Sequence, residues 1–223
     1  MIRDPASFTF GDFTLSVVVT SPPWYENCYV VRHDPSGAQV VIDPGGDAER
    51  IIAAVEAGGG ALDAVWLTHG HPDHIGAASA VQRRFAVPCR AHASERPIVE
   101  GAGRLASAMM GEPLELPSEC QYFDSGISLE LGGVAITVRH TPGHTPGGVC
   151  YIFPGFVLTG DTLFQEGIGR SDLPGGNGRL LMASITGMLE ELPEEVLLFS
   201  GHGPYWSADE ARAWWRAMMM GGG

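Results

Sequence analysis

The chain has 223 residues, of which 44% are apolar and 17% are charged. This composition is ordinary for a folded globular protein, and the length suits one domain over residues 1–223. The 13 basic and 26 acidic residues give a formal net charge of −13. That charge argues against nucleic acid or an anionic membrane surface as the partner, because both select basic patches.

Strands dominate the first third of the chain, where apolar and polar residues alternate between turn residues. We predict strands over residues 8–13, 15–20, 29–32 and 39–42, with a hairpin turn at residues 34–37. Helices and strands alternate after this point. We predict helices over residues 47–57, 75–85 and 95–111, and strands over residues 64–67 and 87–91.

The second half also passes from strands to helices. We predict strands over residues 128–131, 134–138, 149–153, 156–159 and 196–199, and helices over residues 179–191 and 207–218. Ser207 and Glu210 have the spacing of a capping box at the start of the last helix. Sheets covered by helices in both halves predict an α/β fold, an αββα sandwich of two mixed sheets flanked by helices.

Localisation and redox state follow from what the sequence contains. No apolar signal core follows Met1 and no apolar run approaches the length of a membrane span, so we expect a cytoplasmic protein. Cys28, Cys89, Cys120 and Cys150 form no C-x-x-C pair. A zinc site built from cysteine needs closer spacing than this, and we therefore expect buried, reduced thiols.

Side chains that bind metals crowd into residues 68–76, with the sequence THGHPDHIG. On a helix, residues two apart point about 200° away from each other, so His69, His71 and Asp73 could not converge there. In an extended loop alternate residues share a side, and these three can face one point. We expect such a loop, with His74 at the entrance to the following helix.

Three later segments place a ligand-type side chain beside glycine near an apolar strand. His144 follows Gly143, Asp161 follows Gly160, and His202 follows Gly201. Ligand residues at strand ends are a way in which a sheet edge assembles a metal site. The set as a whole indicates a metal centre.

The motif H-x-H-x-D-H, followed by single His, Asp and His residues, resembles that of the metallo-β-lactamase superfamily. The segments HTPGHTPGG, LTGDTLF, GRSDLPGG and SGHGP resemble its glyoxalase II-related branch in a single-domain form. The resemblance covers roughly residues 27–204 and implies the αββα fold and a metal-dependent hydrolase. It implies a first metal on His69, His71 and His144, a second on Asp73, His74 and His202, and Asp161 as the bridge.

Seven ligands exceed the needs of one catalytic zinc ion, which takes three protein ligands and water. We therefore expect two divalent ions holding a bridging hydroxide that attacks a carbonyl, with Asp73 as a catalytic residue that orients the water and relays a proton. Zinc is the predicted metal, and a mixed nitrogen and oxygen site also accepts iron or manganese.

The expected substrate is a small acyl compound, with a glyoxalase II-like thioester first. A lactone, a β-lactam or an acyl-carrier thioester would serve the same nucleophile. A persulfide dioxygenase with one iron on His69, His144 and Asp161 is a further alternative from another reaction class, and a noncatalytic metal-binding module is the simplest one. The dioxygenase ranks third, because members of that branch usually lack the GHGP form around His202. The sequence identifies neither the acyl group nor the leaving group of the substrate, and it fixes no oligomeric state.

Two departures from the glyoxalase II pattern bear on the substrate. Only about twenty residues follow GHGP, with Arg212 and Arg216 as the only basic residues there. Residues 95–118 form a predicted helical insertion, which either caps the site or packs on the outer face of the fold. Trp24, Tyr25 and Tyr205 are the predicted substrate contacts, through aromatic stacking on an apolar acyl group. The alternative is that these aromatic residues pack against the closing helix.

Four further residues are candidates for a supporting role around the metals. His92 and His140 are expected either to orient a ligand or to be ordinary hydrogen-bonded histidines. Arg170 and Asp172, in the GRSDLPGG segment, are expected to brace the site.

Overall fold

The structure is a computed structural model and describes residues 6–111 and 113–221. Residues 1–5, Glu112 and residues 222–223, which belong to the predicted domain, lie outside the described residues. No helix in the described part of the chain is long and apolar enough to cross a membrane.

The first sheet has seven strands in the order β1 to β7. Its first four strands pair antiparallel and its last four pair parallel. The strands span Ala6–Phe10 (β1), Phe13–Thr20 (β2), Glu26–His33 (β3), Gln39–Ile42 (β4), Leu62–Trp66 (β5), Cys89–His92 (β6) and Cys120–Phe123 (β7).

The second sheet has six strands in the order β15-β14-β11-β10-β9-β8. The pair of β11 with β14 is parallel and the other pairs are antiparallel. These strands span Ser128–Leu131 (β8), Val134–His140 (β9), Val149–Phe153 (β10), Phe156–Gly160 (β11), Leu197–Ser200 (β14) and Trp206–Ser207 (β15). A small hairpin, Leu163–Phe164 (β12) and Gly167–Ile168 (β13), lies outside both sheets.

In the described part of the chain, six α-helices cover the outer faces of the two sheets. They span Ala48–Ala57 (α1), Pro72–Ile75 (α2), Ala78–Phe85 (α3), Arg96–Met110 (α4), Gly178–Glu191 (α5) and Ala208–Gly221 (α6). A 3-10 turn at Ala93–Glu95 leads into α4.

Strand β3 shows why the layers form. Tyr29 and Val31 face the core between the two sheets, whereas Cys28 and Val30 face the core between the first sheet and its helices. Alternate residues of a strand point to opposite faces, so a strand that is apolar at every position must be covered on both sides. A third core joins the second sheet to α5 and α6. The predicted αββα sandwich of two mixed sheets is therefore confirmed.

Several predicted elements differ from the observed ones near turns. Gly11 and Asp12 form a turn that ends the first predicted strand early. The helix predicted over residues 75–85 is two helices, and it begins at Pro72 because proline is favoured in the first helical turn. The edge strand β7 and the hairpin β12–β13 were not predicted.

Two local predictions concern single side chains. The capping box is confirmed, because Glu210 N–H donates to Ser207 Oγ at 3.2 Å and Ser207 N–H donates to Glu210 Oε2 at 2.8 Å. All four cysteines are free thiols. Three of them are buried as expected, but Cys120 is only partly buried because it lies on the edge strand β7.

Candidate metal centre

The predicted ligands gather at one edge of the sandwich. His69 lies three residues beyond β5, Asp161 directly follows β11, and His202 lies two residues beyond β14. His144 is in the loop between β9 and β10. Carboxyl ends of parallel strands meet at a common edge, which brings residues from distant parts of the chain together.

Three histidines form the first ligand group. One nitrogen each of His69, His71 and His144 lies within 4.8 Å of the other two, and all three side chains are buried. The Nε2 atoms of His69 and His144 face each other at 3.2 Å. The ring of His71 lies edge-on to both other rings.

Asp73, His74 and His202 form the second ligand group, again with their ligand atoms within 4.8 Å of one another. Asp73 Oδ2 is 3.3 Å from His202 Nε2, and the Nε2 atoms of His74 and His202 are 3.4 Å apart. The expectation of an extended loop through Asp73 is wrong. Asp73 and His74 belong to helix α2, which turns them towards His202 instead.

The carboxylate of Asp161 lies between the two groups. Its Oδ2 is 3.6 Å from His144 Nε2, whereas its Oδ1 is 3.3 Å from His74 Nε2 and 3.7 Å from His202 Nε2. Oδ1 is buried and has no hydrogen-bond partner in the described chain. One oxygen therefore points to each group.

Hydrogen bonds at the far side of each ring fix which nitrogen carries the proton. A carbonyl oxygen can only accept, so His144 Nδ1 donates to Arg170 O at 2.7 Å and His202 Nδ1 donates to Trp24 O at 3.1 Å. The Thr68 hydroxyl donates to Asp43 Oδ2 and thus accepts from His69 Nδ1 at 3.1 Å. With the proton held on Nδ1, Nε2 is the nitrogen of each of these rings that faces the site and can bind a metal ion.

This arrangement fits metal ions. Two lone pairs facing each other at 3.2 Å repel unless a cation lies between them, and histidines that bind metals anchor their second nitrogen in this way. Arg170 braces the site through its carbonyl oxygen, while its guanidinium pairs with Asp172 at the surface.

The buried charges also favour a cation at this point. Burial would raise the pKa of Asp161, but His74, His202 and His69 hold that pKa well below its ordinary value. Burial would lower the pKa of His74, yet Asp161, Asp43 and Asp73 raise it well above the ordinary value. The negative charge of Asp161, Asp43 and Asp73 thus stabilises a positive charge at this point, which either a proton on His74 or a metal ion can supply.

Asp43 is a site residue that the sequence analysis missed. It follows β4, and its carboxylate accepts hydrogen bonds from His74 Nδ1 at 3.0 Å, Thr68 N at 2.7 Å and Thr68 Oγ1 at 2.5 Å. It therefore fixes the ring of His74 and, through Thr68, that of His69. The signal was present in VVIDPGG, where an aspartate ends an apolar strand just as Asp161 does.

Gly201 allows the two groups to approach each other. A Cβ atom there would clash with Asp161 Oδ1 and with the ring of His74. The glycine beside His202 therefore has a packing role in the site, and any larger residue would push the bridging carboxylate away.

Two cavities flank the ligands, and helix α4 borders both. One, of about 360 Å³, adjoins His71 and is otherwise apolar except for Arg104; its lining residues are His71, Pro97, Ile98, Gly101, Arg104, Leu105, Ala108 and Pro174. The other, of about 420 Å³, adjoins Pro72 and is lined by residues 21–24, 45–46, 72, 76, 106 and 113–114. Only residues 96–110 of the predicted insertion are α-helical, and they lie beside the site.

The three predicted aromatic contacts have different environments. Trp24 lines the second cavity, and its carbonyl oxygen anchors His202. Tyr25 is 46% exposed next to it. The ring of Tyr205 packs on Phe8 and Phe199, each with centroids 5.1 Å away, so packing of the sandwich accounts for this side chain.

His92 and His140 are hydrogen-bonded to each other through Ser125. Ser94 N–H donates to His92 Nδ1, His92 Nε2 donates to Ser125 Oγ at 2.8 Å, Ser125 donates to His140 Nδ1, and His140 Nε2 donates to Pro146 O at 3.0 Å. Each ring is neutral in this chain of bonds. Neither of the two histidines contacts a predicted ligand through these bonds.

The His92 ring predicts a pH-dependent stability. Burial and the neighbouring His140 lower the pKa of His92 to about 4, whereas an unfolded histidine titrates near 6.5. The unfolded chain binds the proton first as pH falls, so this contribution is present above about pH 6.5 and is lost towards pH 4. Its size is at most about 3 kcal/mol, reduced by solvent near the exposed Ser125.

Urea denaturation of wild type and His92→Asn between pH 4 and 7 measures this effect. The wild type is expected to lose more unfolding free energy than the variant as pH falls through this range. Equal losses in the two proteins would show that His92 does not carry the pH dependence.

The fold and the site together define an αββα protein whose sheet edge gathers histidines and aspartates in the manner of a metal-binding hydrolase. Residues 21–202 match the model of a family described as the metallo-beta-lactamase superfamily. The chain belongs to this superfamily.

Its relatives include a hydroxyacylglutathione hydrolase, GloC, of Haemophilus influenzae, which is 33% identical over 192 residues covering 84% of this chain and 90% of that protein. Among solved structures, the BLEG-1 B3 metallo-beta-lactamase is 36% identical with a TM-score of 0.79, covering 90% of this chain and 96% of its own. The structure of TTHA1623 in a di-iron-bound form is 34% identical with a TM-score of 0.77, and the match covers 87% of this chain and 96% of TTHA1623.

Proposed function

We propose that this protein is a metal-dependent hydrolase that cleaves a thioester or a related activated carbonyl with a water held between two divalent ions. The carrying observation is the position of Asp161, whose two oxygens face two separate ligand groups. The ligands proposed for one ion are His69, His71 and His144, and those for the other are Asp73, His74 and His202.

Two bound divalent ions would supply a water of lowered pKa and would polarise the attacked carbonyl. The chain's own groups orient this chemistry. Asp73 Oδ2 lies 3.3 Å from His202 Nε2 and its side chain keeps 20% exposure, so it can accept a proton from a water and pass it to solvent. The Nδ1 anchors hold the histidine rings in place during the reaction.

The donor set suits zinc, and mixed nitrogen and oxygen sites also accept iron or manganese. The di-iron form of the related TTHA1623 supports including iron in any test. Metal analysis of protein purified without chelator, followed by reconstitution with each metal separately, identifies the metal that supports the highest kcat.

The two cavities support a small acyl substrate. The cavity beside His71 is mainly apolar and has Arg104 as the only charged side chain among the described residues that line it. Glutathione carries two carboxylates and would need more positive charge than one arginine supplies. The other cavity, which Trp24 lines, has no charged side chain among the described residues around it. We therefore propose weak use of glutathione thioesters and a preference for an apolar or aromatic acyl group held near Trp24 and Tyr25.

A second candidate is β-lactam hydrolysis, because the solved structure of BLEG-1, named a B3 metallo-beta-lactamase, is 36% identical and covers nearly the whole domain. The same nucleophile attacks a strained amide and a thioester, so the pocket decides between them. Hydrolysis rates for a panel of lactoylglutathione, an aryl thioester, a lactone and a β-lactam distinguish these hydrolase reactions. Oxygen uptake in the presence of a persulfide distinguishes the persulfide dioxygenase from all of the hydrolases. If the enzyme hydrolyses no member of this panel, the proposed function is wrong.

Substitution of the aromatic loop tests the substrate preference. Trp24→Ala and Tyr25→Ala are expected to lower kcat/KM for an aryl thioester about 3- to 10-fold, through the loss of ring contacts with the acyl group. Tyr205→Ala is the matched control, because this tyrosine has a similar exposure of 40% but packs on Phe8 and Phe199. A high kcat/KM for lactoylglutathione that is unchanged in the first two variants would contradict this preference.

A further inference from the structure

Glu95 is a fully buried carboxylate that faces no cationic side chain in its hydrogen bonds. It ends the 3-10 turn after β6 and directly precedes helix α4. Its side chain is 0% exposed. Burying an ionisable group away from water is costly unless its oxygens are paired, so the partners of this carboxylate show what it does.

The two backbone N–H groups that Glu95 binds belong to loops that carry predicted metal ligands. Oε1 accepts from Gly70 N–H at 2.9 Å, and Gly70 lies between His69 and His71. Oε2 accepts from Gly147 N–H at 2.8 Å, three residues after His144. One carboxylate therefore spans the two loops that supply the three-histidine group.

The carboxylate of Glu95 sets a fixed distance between the N–H groups of Gly70 and Gly147. Its two oxygens are fixed by covalent geometry, so the two N–H groups that they bind are held at one separation. Gly147 packs so closely on Glu95 that a Cβ atom added to Gly147 would clash with the backbone of Glu95. A Cβ atom added to Gly70 would clash with Val99 of α4. The loops and the start of α4 therefore form one packed unit.

The same unit reaches the substrate cavity. Ile98 and Leu105 of α4 line the cavity that adjoins His71. A change in the position of Glu95 would shift the cavity wall together with the loops that hold the histidines.

We propose that Glu95 is a positioning residue that sets the separation of the His69–His71 loop and the His144 loop, and thereby the geometry of the three-histidine metal site. This inference rests on the metal-binding part of the proposed function. Burial raises the pKa of Glu95 to about 7, although hydrogen bonds from Gly70, Thr145 and Gly147 favour its ionised form.

The test uses Glu95→Gln, which keeps the shape but leaves only one accepting oxygen. The amide NH2 must then face a backbone N–H, so one loop loses its partner. Cobalt titration of the metal-depleted protein is expected to show about 10- to 100-fold weaker binding at the three-histidine site and an altered visible absorption spectrum. Binding at the site of Asp73, His74 and His202 is expected to change less than about threefold.

Glu100→Gln is the matched control. Glu100 lies on the first turns of the same helix, and its carboxylate is exposed, 3.9 Å from Arg96. It should bind cobalt as the wild type does, with the same spectrum. Native cobalt affinity and an unchanged spectrum in Glu95→Gln, even with a lower Tm, would overturn the proposal, because a purely stabilising residue would give that result.

A second measurement covers the case in which Glu95→Gln does not fold. In wild-type protein without metal, the amide protons of Gly70 and Gly147 are expected to be protected from hydrogen exchange, and Glu95→Asp is expected to lose protection at one of them because its side chain is shorter. Fast exchange of both amides in the wild type would overturn the proposal. A wild type that binds cobalt but hydrolyses no substrate would instead contradict the reaction alone.

Discussion

Asp161→Ala is expected to weaken binding of both metal ions and to lower kcat/KM about a thousandfold or more. The physical reason is that one oxygen of this carboxylate faces each ligand group, so its loss removes a ligand from both. A thousandfold corresponds to about 4 kcal/mol of transition-state stabilisation, which is a modest estimate for the loss of metal-assisted catalysis. Metal content by elemental analysis and steady-state kinetics measure the two effects.

His202→Ala and Asp63→Ala serve as comparisons for this prediction. His202 belongs to only one ligand group, so its loss should reduce metal content from two ions per chain to about one. Asp63 is an exposed aspartate on β5, and its replacement should leave metal content and kcat/KM unchanged. A wild-type content near one ion that is insensitive to His202→Ala would contradict the two-ion arrangement.

Asp43→Asn is expected to lower metal affinity about 10- to 100-fold and to destabilise the fold by about 1–3 kcal/mol. Three donors converge on this carboxylate, from Thr68 N, Thr68 Oγ1 and His74 Nδ1. An asparagine offers a single oxygen, so in either orientation its NH2 faces at least one buried donor. Competition with a chelator measures the affinity, and urea denaturation measures the stability.

Asp47→Asn is the control for Asp43, because Asp47 precedes α1, makes no side-chain capping bond and lies 3.7 Å from Arg50 at the surface. It should change neither quantity by more than about 0.5 kcal/mol. If Asp43→Asn also keeps native metal affinity, then Asp43 does not orient His74 for metal binding.

The element types followed from local patterns in the sequence. Strand β4 at Gln39–Ile42 and strand β10 at Val149–Phe153 have the predicted bounds, since short apolar runs between turn residues fit few other structures. The capping box at Ser207 was equally local. The start of α2 differs from the prediction, because the alternating ligand residues His71 and Asp73 favour an extended loop, whereas Pro72 favours the first turn of a helix.

The candidate ligands also came from local signals, because several metal-binding side chains lie within residues 68–76 and the others follow glycine. The family resemblance then divided them into two groups, and this division stays a prediction. The structure brings the ligand atoms of each group within 4.8 Å of one another, and it brings Asp43, His69 and His74 equally close. What a single sequence determined about this protein is therefore its class of fold and the chemical types of its site residues.

Only the tertiary structure decided how these residues are held. Glu95 contacts Gly70 and Gly147, which are 25 and 52 residues away, through backbone N–H groups that every residue except proline possesses. Asp43 likewise depends on the pairing of β4 with β5 to meet Thr68. Such contacts leave no local pattern, because strand pairing and layer packing bring distant backbone atoms together whatever side chains they carry.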